Sequence, residues 1–237
     1  MMRFVARTPL PLHVKLIEWR QMVRIARYVA PIIAHGFFWA FWWGPDLILI
    51  QHLMSPNATG NYAAASTLTQ VLILPSTAIC MAAGPSLARF SERALSKQVM
   101  HLLALGGAVV VPAATLLVVL QQPLLYLAYG TKYPQALDAF NALVLGVTLY
   151  GFYLILASVW GAMGRPMVGA VATGCGTVAT VAMALALIPS MGLFGAGIAF
   201  AAGAAAQLVF VVAFTLWGLY AGIDARVGHL PDEATIV

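Results

Sequence analysis

Ionisable side chains inside apolar stretches are the residues of this sequence with the clearest chemical potential. Asp46 comes first, because it stands in the run WWGPDLILI at residues 42–50. A carboxylate at membrane depth is expensive and marks a candidate functional site. It precedes the outer end of its predicted helix by about eight residues, or about 12 Å. Gly44 and Pro45 predict a kink beside it.

Two interpretations of Asp46 follow from this position. The carboxylate could face a cavity beside the kink and bind a proton or a cation. Alternatively, it could cap or hydrogen-bond a neighbouring helix and only fix packing. We favour the second interpretation, because Asp46 lies in the outer half of its helix and not at the midplane.

Other polar side chains also lie within or near apolar segments. Hydroxyls and amides in such places usually hydrogen-bond across helices, but a few can line a polar cavity. The candidates for a cavity are His35, Gln70, Asn141 and Gln207, although a histidine in this setting is more typical of a satisfied core residue. The remaining polar residues of this kind are Gln51, His52, Thr67, Thr69, Thr77 and Thr148.

Motifs for catalysis or metal binding are weak or missing. The sequence has no pair of carboxylates at membrane depth, no His/Cys/Asp cluster with metal-ligand spacing and no glycine-rich loop after a strand. We therefore expect no enzyme, no metal and no cofactor. Cys80 and Cys175 fall inside apolar segments and are interpreted as small buried hydrophobic residues, not as a disulfide. Asp138 is close in sequence to Lys132, which predicts a surface ion pair.

Composition identifies the class of protein. The chain has 237 residues, of which 62% are hydrophobic and 8% charged, whereas a soluble domain is about half apolar and a quarter charged. The sequence therefore predicts an all-α integral membrane protein. Apolar stretches of about 20 residues or more predict six spans, which cover about Tyr28–Met54, Asn61–Ala83, His101–Leu120, Ala136–Ala162, Met167–Ile188 and Leu193–Tyr220.

The basic residues predict the topology. The connections alternate in charge, and eleven of the twelve Lys and Arg residues fall on one side of the predicted spans, with only Lys132 on the other. The positive-inside rule places that side, and both termini, in the cytoplasm. Because the basic residues lie outside the spans, they indicate topology and lipid headgroups, and not nucleic acid.

Three regions are predicted along the chain. Residues 1–26 form a basic segment with apolar and arginine stripes at helical spacing, which fits an amphipathic helix on the inner leaflet or a linker cut from a longer protein. Residues 27–222 form the six-helix lobe, and residues 223–237 form a short cytoplasmic tail. Glycine and alanine are dense in the fifth and sixth spans, which predicts close helix packing there.

The order of several short motifs carries a resemblance to a known family. The first span ends WWGPDLILI, ATGNYAAA opens the second, and PSTAICMAAGPSLARF ends it. LLYLAYGTKYPQAL follows the third span, WGAMGRPM ends the fourth, and IPSMGLFGAGIA ends the fifth. In this order, over about residues 25–222, the chain resembles the polysaccharide-type flippases of the multidrug/oligosaccharidyl-lipid/polysaccharide exporter superfamily.

The resemblance implies a fold and a function. Family members have two six-helix lobes around a central cavity, and they move a lipid-linked oligosaccharide across the bacterial cytoplasmic membrane by alternating access. This sequence shows one lobe and looks most like the second. The implied partners are the bilayer, the lipid-linked oligosaccharide and a first lobe on the same or a separate chain, with a homodimer least favoured. Related flippases often use cavity arginines to hold the carrier's pyrophosphate. Here that role is left to the absent lobe, or to Arg27 and Arg165 at the inner rim.

Alternative functions stay open at this point. The chain could be a lobe of a cation-coupled multidrug exporter, for which Asp46 is the sole acidic candidate and is poorly placed. It could also be a non-transporting membrane subunit or a fragment without activity. A membrane-bound glycosyltransferase fits poorly, because acidic catalytic loops are lacking.

Overall fold

The computed structural model describes residues 19–87 and 92–220, and along these residues it contains helices and no strand. The first predicted span is two helices, α1 from Trp19 to Trp42 and α2 from Pro45 to Leu53. The kink predicted at Gly44 and Pro45 is confirmed as a complete break. Proline has no backbone N–H to donate and is favoured at the first position of a helix, so Pro45 begins a new helix instead of continuing α1.

The second span is also interrupted. Helix α3 runs from Pro56 to Thr69, with the Ser55 hydroxyl accepting from the backbone N–H of Ala58 at 3.2 Å. A 3₁₀ turn follows over Gln70–Leu72, and helix α4 runs from Ile73 to Leu87. Pro75 cannot donate to the carbonyl four residues earlier, which accounts for the tighter turn at this place.

The third span is longer than the sequence predicts. Helix α5 runs from Glu92 to Val119, so it begins about nine residues before the predicted start. A short helix, α6, then covers Gln121–Tyr129, where only a loop was predicted. This helix buries Leu125 and ends at Gly130, whose φ of 63° lies in the left-handed region that glycine tolerates best.

Helix α7 lies at the centre of the lobe. It runs from Ala136 to Ala162, the bounds that the sequence predicts. It packs against helices of the second, third, fifth and sixth spans, and its Tyr150 ring stacks on Trp42 at the end of α1. It buries residues of varied size on most of its circumference, including Phe140, Tyr150 and Tyr153. A helix that is apolar all round is expected in the interior of a bundle.

The last helix, α8, covers Met167–Tyr220 and bends sharply at Gly192, where φ is 60°. Its two arms, residues 167–191 and 193–220, run antiparallel. A Cβ added to Gly195 would lie 2.5 Å from the Leu187 carbonyl oxygen, and one added to Gly203 would lie 2.7 Å from that of Gly176. This hairpin therefore accounts for the fifth and sixth spans and confirms the close packing predicted from its small residues.

The all-α membrane fold is confirmed. Four helical stretches of the described chain are long and apolar enough to cross a membrane, and the last of them is the double-length hairpin. Together with the broken α1–α2 span, they give the six spans.

One pocket is lined by Met54, Gln135 and Gly192, so these residues share one end of the lobe. We call it the outer end, as the charge distribution predicts, and the opposite end the inner end.

The predicted division of the chain into three regions is only partly covered by the described residues. Helix α1 already begins at Trp19, so residues 19–26 of the basic segment are helical and continuous with the first span. Three predicted regions lie wholly or partly outside the described residues: residues 1–18 of the basic segment, residues 88–91 at the basic loop, and the tail from residue 221. The three-region division of the chain stays a prediction.

Candidate functional site

Asp46 lies in a buried clamp between the first two spans. Its side chain is 4% exposed, and its Oδ2 accepts a hydrogen bond of 2.6 Å from the hydroxyl of Tyr62, which is fully buried. Its Oδ1 accepts from the backbone N–H of Leu47 at 2.9 Å. Both carboxylate oxygens therefore have partners, as expected if the carboxylate fixes packing.

The break in the first span explains why a carboxylate is accepted here. Asp46 is the second residue of α2, and Gly44, which precedes the helix, provides no side-chain cap. The first N–H groups of a helix lack backbone acceptors, and the helix dipole is positive at that end, so an acidic side chain is favoured there. The Gly-Pro break thus places the start of a helix inside an apolar segment, and the N–H groups and positive dipole at that start stabilise the Asp46 carboxylate.

The residues before Tyr62 attach the same helix to a third element. The fully buried Asn61 accepts from the backbone N–H of Gln135 at 3.0 Å and donates to the Asn57 carbonyl at 2.9 Å. A Cβ on Gly60 would lie 3.1 Å from the ring of Tyr133. In the Gly-Asn-Tyr motif, Gly60 and Asn61 therefore contact the segment entering α7, while Tyr62 bonds to α2. We call Asp46, Asn61, Tyr62 and Gln135 the outer clamp.

Asn61→Leu should destabilise the lobe by about 1–2 kcal/mol, because the Gln135 N–H loses its acceptor in a partly buried place. The measurement is the thermal unfolding midpoint of the purified protein in detergent. Asn141→Leu is the matched control, since Asn141 is exposed and its amide bonds to no described residue. Equal midpoints for the two variants would show that the Asn61 bond does not hold the outer end together.

A second feature is a cavity of about 420 Å³ at the inner end, between α1, α4, α7 and α8. Most of its wall is apolar. The convergent polar groups are His35 from α1, Thr77 and Cys80 from α4, and Ser158 from α7. A mostly apolar concave surface with a few polar groups is the usual composition of a ligand site. We call it the inner cavity.

Local bonds orient the walls of the inner cavity. The Thr77 and Ser158 hydroxyls donate to their own helices, at Leu74 O (2.9 Å) and Ile155 O (2.7 Å), which leaves their oxygens as acceptors. The His35 ring packs against α8 at Gly169, where an added Cβ would lie 3.4 Å from its Nδ1, an ordinary contact distance. His35 is therefore placed by packing at the edge of an open space.

Arg165 borders the inner cavity. It is half-buried in the turn between α7 and α8, next to the cavity residue Pro166, and its guanidinium carbon lies 5.9 Å from the centre of the Trp160 ring. Trp160 is itself held by a hydrogen bond to Thr215 at 2.9 Å. The side chain of Arg27 lies outside the described part, but its backbone belongs to α1, two helical turns before His35.

The other candidates are dispersed. Gln70, in the 3₁₀ turn, donates to Ser66 of the preceding helix α3 at 3.3 Å. Asn141 is exposed on α7, and Gln207 is fully buried in the second arm of α8. Of the five candidate cavity residues, only His35 lines the inner cavity. The structure thus places Asp46 in the outer clamp and His35 at the inner cavity. It places Gln70 in a local bond, Asn141 on the surface and Gln207 in the core.

Two expectations from the sequence are wrong. Asp138 and Lys132 form no ion pair in the described part of the chain. Lys132 instead lies over the ring of Tyr133, 5.5 Å from its centre, while Asp138 lines the outer pocket at the start of α7. Cys175 is exposed on the outside of the hairpin and not buried, because the opposite face of its helix packs in the core.

Sequence reasoning missed the partners of the key residues. The bonds of Tyr62 to Asp46 and of Gln135 to Asn61 join positions 16 and 74 residues apart. Tyr153, which donates to the Gly169 carbonyl at 3.1 Å and bonds to Thr173 at 2.7 Å, was not considered. The Gly-Asn-Tyr motif at the opening of α3 was the only signal that pointed to any of them.

Comparison with known proteins bears on the same region. Residues 4–138, more than half of the chain, match the family model described as polysaccharide biosynthesis protein. The chain belongs to this family. The matched segment includes every residue of the outer clamp, and membership in the polysaccharide biosynthesis family confirms the resemblance to polysaccharide flippases. No curated protein matches the chain.

Proposed function

We propose that this chain is one lobe of a flippase that moves a lipid-linked oligosaccharide across the bacterial cytoplasmic membrane by alternating access. Family membership supports a role in polysaccharide export, and the six-span lobe supports a membrane transporter and not an enzyme. The inner cavity is the observation that supports a specific site for the substrate. It lies between α1, α4, α7 and α8 and combines an apolar wall with His35 and hydroxyl acceptors.

The chemistry of the inner cavity fits the junction between lipid and sugar. The apolar wall suits a hydrocarbon chain, and the hydroxyl oxygens, as acceptors, suit sugar hydroxyls. His35 suits a hydroxyl or a phosphate group, and Arg165 supplies a positive charge at the rim. A cavity of about 420 Å³ is smaller than a lipid-linked oligosaccharide. This supports a second wall from a first lobe, encoded on the same or a separate chain, since one lobe alone would expose polar groups to lipid.

The arrangement of Asp46 disfavours the cation-coupled multidrug exporter. Such an exporter needs an acidic group facing the cavity, whereas both oxygens of Asp46 accept hydrogen bonds inside the outer clamp. Asp46 also does not line the inner cavity. A coupling role for Asp46 would require the Tyr62 bond to break.

The direct test is leaflet translocation of a labelled lipid-linked oligosaccharide in proteoliposomes. We expect transport when the chain is reconstituted with a first lobe, sought in the coding sequence upstream, and little or none without it. Absence of translocation in both reconstitutions would contradict the proposal.

His35→Leu tests the role of the inner cavity in this transport. We expect at least a tenfold lower initial rate at normal protein level, because a side chain of similar size removes the donor and acceptor but keeps the packing. His52→Leu is the control, since the exposed His52 bonds only to the Ile48 carbonyl of its own helix. Equal rates for both variants would remove His35 from the substrate path.

A further inference from the structure

Among the described residues, five fully or nearly fully buried side chains have polar atoms without a hydrogen-bond partner. Two of them, Ser76 and Tyr150, lie on α4 and α7. The other three lie where α1 crosses the α8 hairpin. They are Trp42, whose indole Nε1–H is unpaired, Thr180, whose hydroxyl is unpaired, and Gln207, both of whose amide atoms are unpaired. Their exposed fractions are 0%, 1% and 0%. Buried polar groups nearly always have a partner, either a protein group or an ordered water molecule, so this cluster requires an explanation.

The three side chains meet at one interface. Trp42 ends α1, Thr180 lies on the first arm of α8, and Gln207 lies on the second arm. A Cβ added to Gly203 would collide with the Thr180 hydroxyl and lie 2.9 Å from Cη2 of Trp42. A Cβ added to Gly176 would lie 2.5 Å from the Gln207 Nε2. Gly203 lies one turn from Gln207, and Gly176 lies one turn from Thr180. The absence of a Cβ at these two positions lets the side chains of Trp42, Thr180 and Gln207 pack at the same crossing.

The donors and acceptors of the cluster define its ligand. Gln207 can donate two hydrogen bonds and accept two, Thr180 can do both, and Trp42 can only donate. A cation would find two side-chain oxygens but would be opposed by the indole N–H. The carboxylate nearest to Trp42 in the sequence, Asp46, is already bonded to Tyr62. A water molecule offers both donors and acceptors at the required small size.

We propose that Trp42, Thr180 and Gln207 form a buried site for one or two water molecules where α1 crosses the α8 hairpin. The site lies near mid-depth, because Thr180 and Gln207 stand close to the middle of their arms. It also lies beside the α1–α2 break. The water links the end of α1 to both arms and satisfies polar groups that are isolated from bulk solvent.

The first test is a double-mutant cycle on the purified full chain in nanodiscs. Thr180→Val and Gln207→Leu keep size and remove hydrogen bonding. We expect each to lower the unfolding midpoint by about 2–5 °C, and the double variant to lower it no further than the larger single effect, because both act through the same water. Thr180→Val combined with Thr115→Val is the additive control, since Thr115 is exposed and bonds to the Val111 carbonyl of its own helix.

A direct measurement keeps the proposal testable if these variants fold poorly. With ¹⁵N-labelled tryptophan, and the indole resonance of Trp42 assigned through Trp42→Phe, we expect a cross-peak between its Nε1–H and water despite complete burial. Additive single effects, or a folded protein without this cross-peak, would overturn the water site. A midpoint that rises when sodium chloride replaces choline chloride, and that loses this rise in Gln207→Leu, would overturn it in favour of a cation. None of these measurements depends on transport.

Discussion

Gly203→Val should prevent the α8 hairpin from closing and remove most folded protein. The added atoms would meet the Thr180 hydroxyl, the Gly176 carbonyl at 2.7 Å and the Trp42 ring at 2.9 Å. A backbone carbonyl cannot rotate away, so the two arms must separate at this close contact. We expect a cost of about 3 kcal/mol, measured as loss of the monodisperse peak in size-exclusion chromatography after detergent extraction.

Gly107→Val provides the control for Gly203→Val. Gly107 also lies inside a long helix, α5, but an added Cβ there would meet nothing within 4 Å. The two variants therefore share the change in helix propensity and differ in the steric contact. If Gly203→Val gave as much monodisperse protein as Gly107→Val, the close approach of the two arms would be wrong.

Tyr62→Phe should destabilise the lobe by about 1–3 kcal/mol, because Oδ2 of Asp46 would stay buried without its partner. Asp46→Ala should lower the protein level as much as it lowers transport, because it leaves the Tyr62 hydroxyl unpaired and a space beside it. The double variant should cost less than the sum of the two single variants, since both remove the same bond. Unfolding midpoints and membrane abundance measure these effects.

Tyr126→Phe is the control for the loss of a tyrosine hydroxyl. Tyr126 is 68% exposed and its hydroxyl bonds to no other described residue, so its removal should change the midpoint little. Normal abundance with abolished transport in Asp46→Ala would overturn the structural interpretation of Asp46 and assign it a role in coupling or substrate binding.

The sequence predicts the elements of this fold well where composition alone decides them. Helix α7 has the predicted bounds because a largely apolar run lies between the polar turn at residues 130–135 and the Gly164–Arg165–Pro166 turn. A kink at Gly44 and Pro45 was predicted because proline lacks a backbone donor, and the structure shows a complete break there. Helix α6 was missed because its nine residues are too few to form a span, and only its tertiary contacts hold it.

The candidate site was harder to predict, because its geometry depends on which helices become neighbours. Polarity within an apolar run identified Asp46, His35 and Gln207, and the structure gives each a different environment. The distinction between them lies in contacts across helices, such as Tyr62 with Asp46, which side-chain type and spacing do not encode. Asn141 and Gln70 are also polar, but Asn141 lies on the surface and Gln70 bonds only to nearby Ser66.

The hairpin of α8 also bears on how the chain enters the membrane. Its 54 residues contain no Asp, Glu, Lys, Arg or His, and its two arms are joined by a bend at the single residue Gly192. Translocating such a hairpin moves no charge and no long polar loop across the hydrocarbon core. The fifth and sixth spans are therefore suited to insert together as one unit during synthesis, after α7 has provided the surface on which they pack.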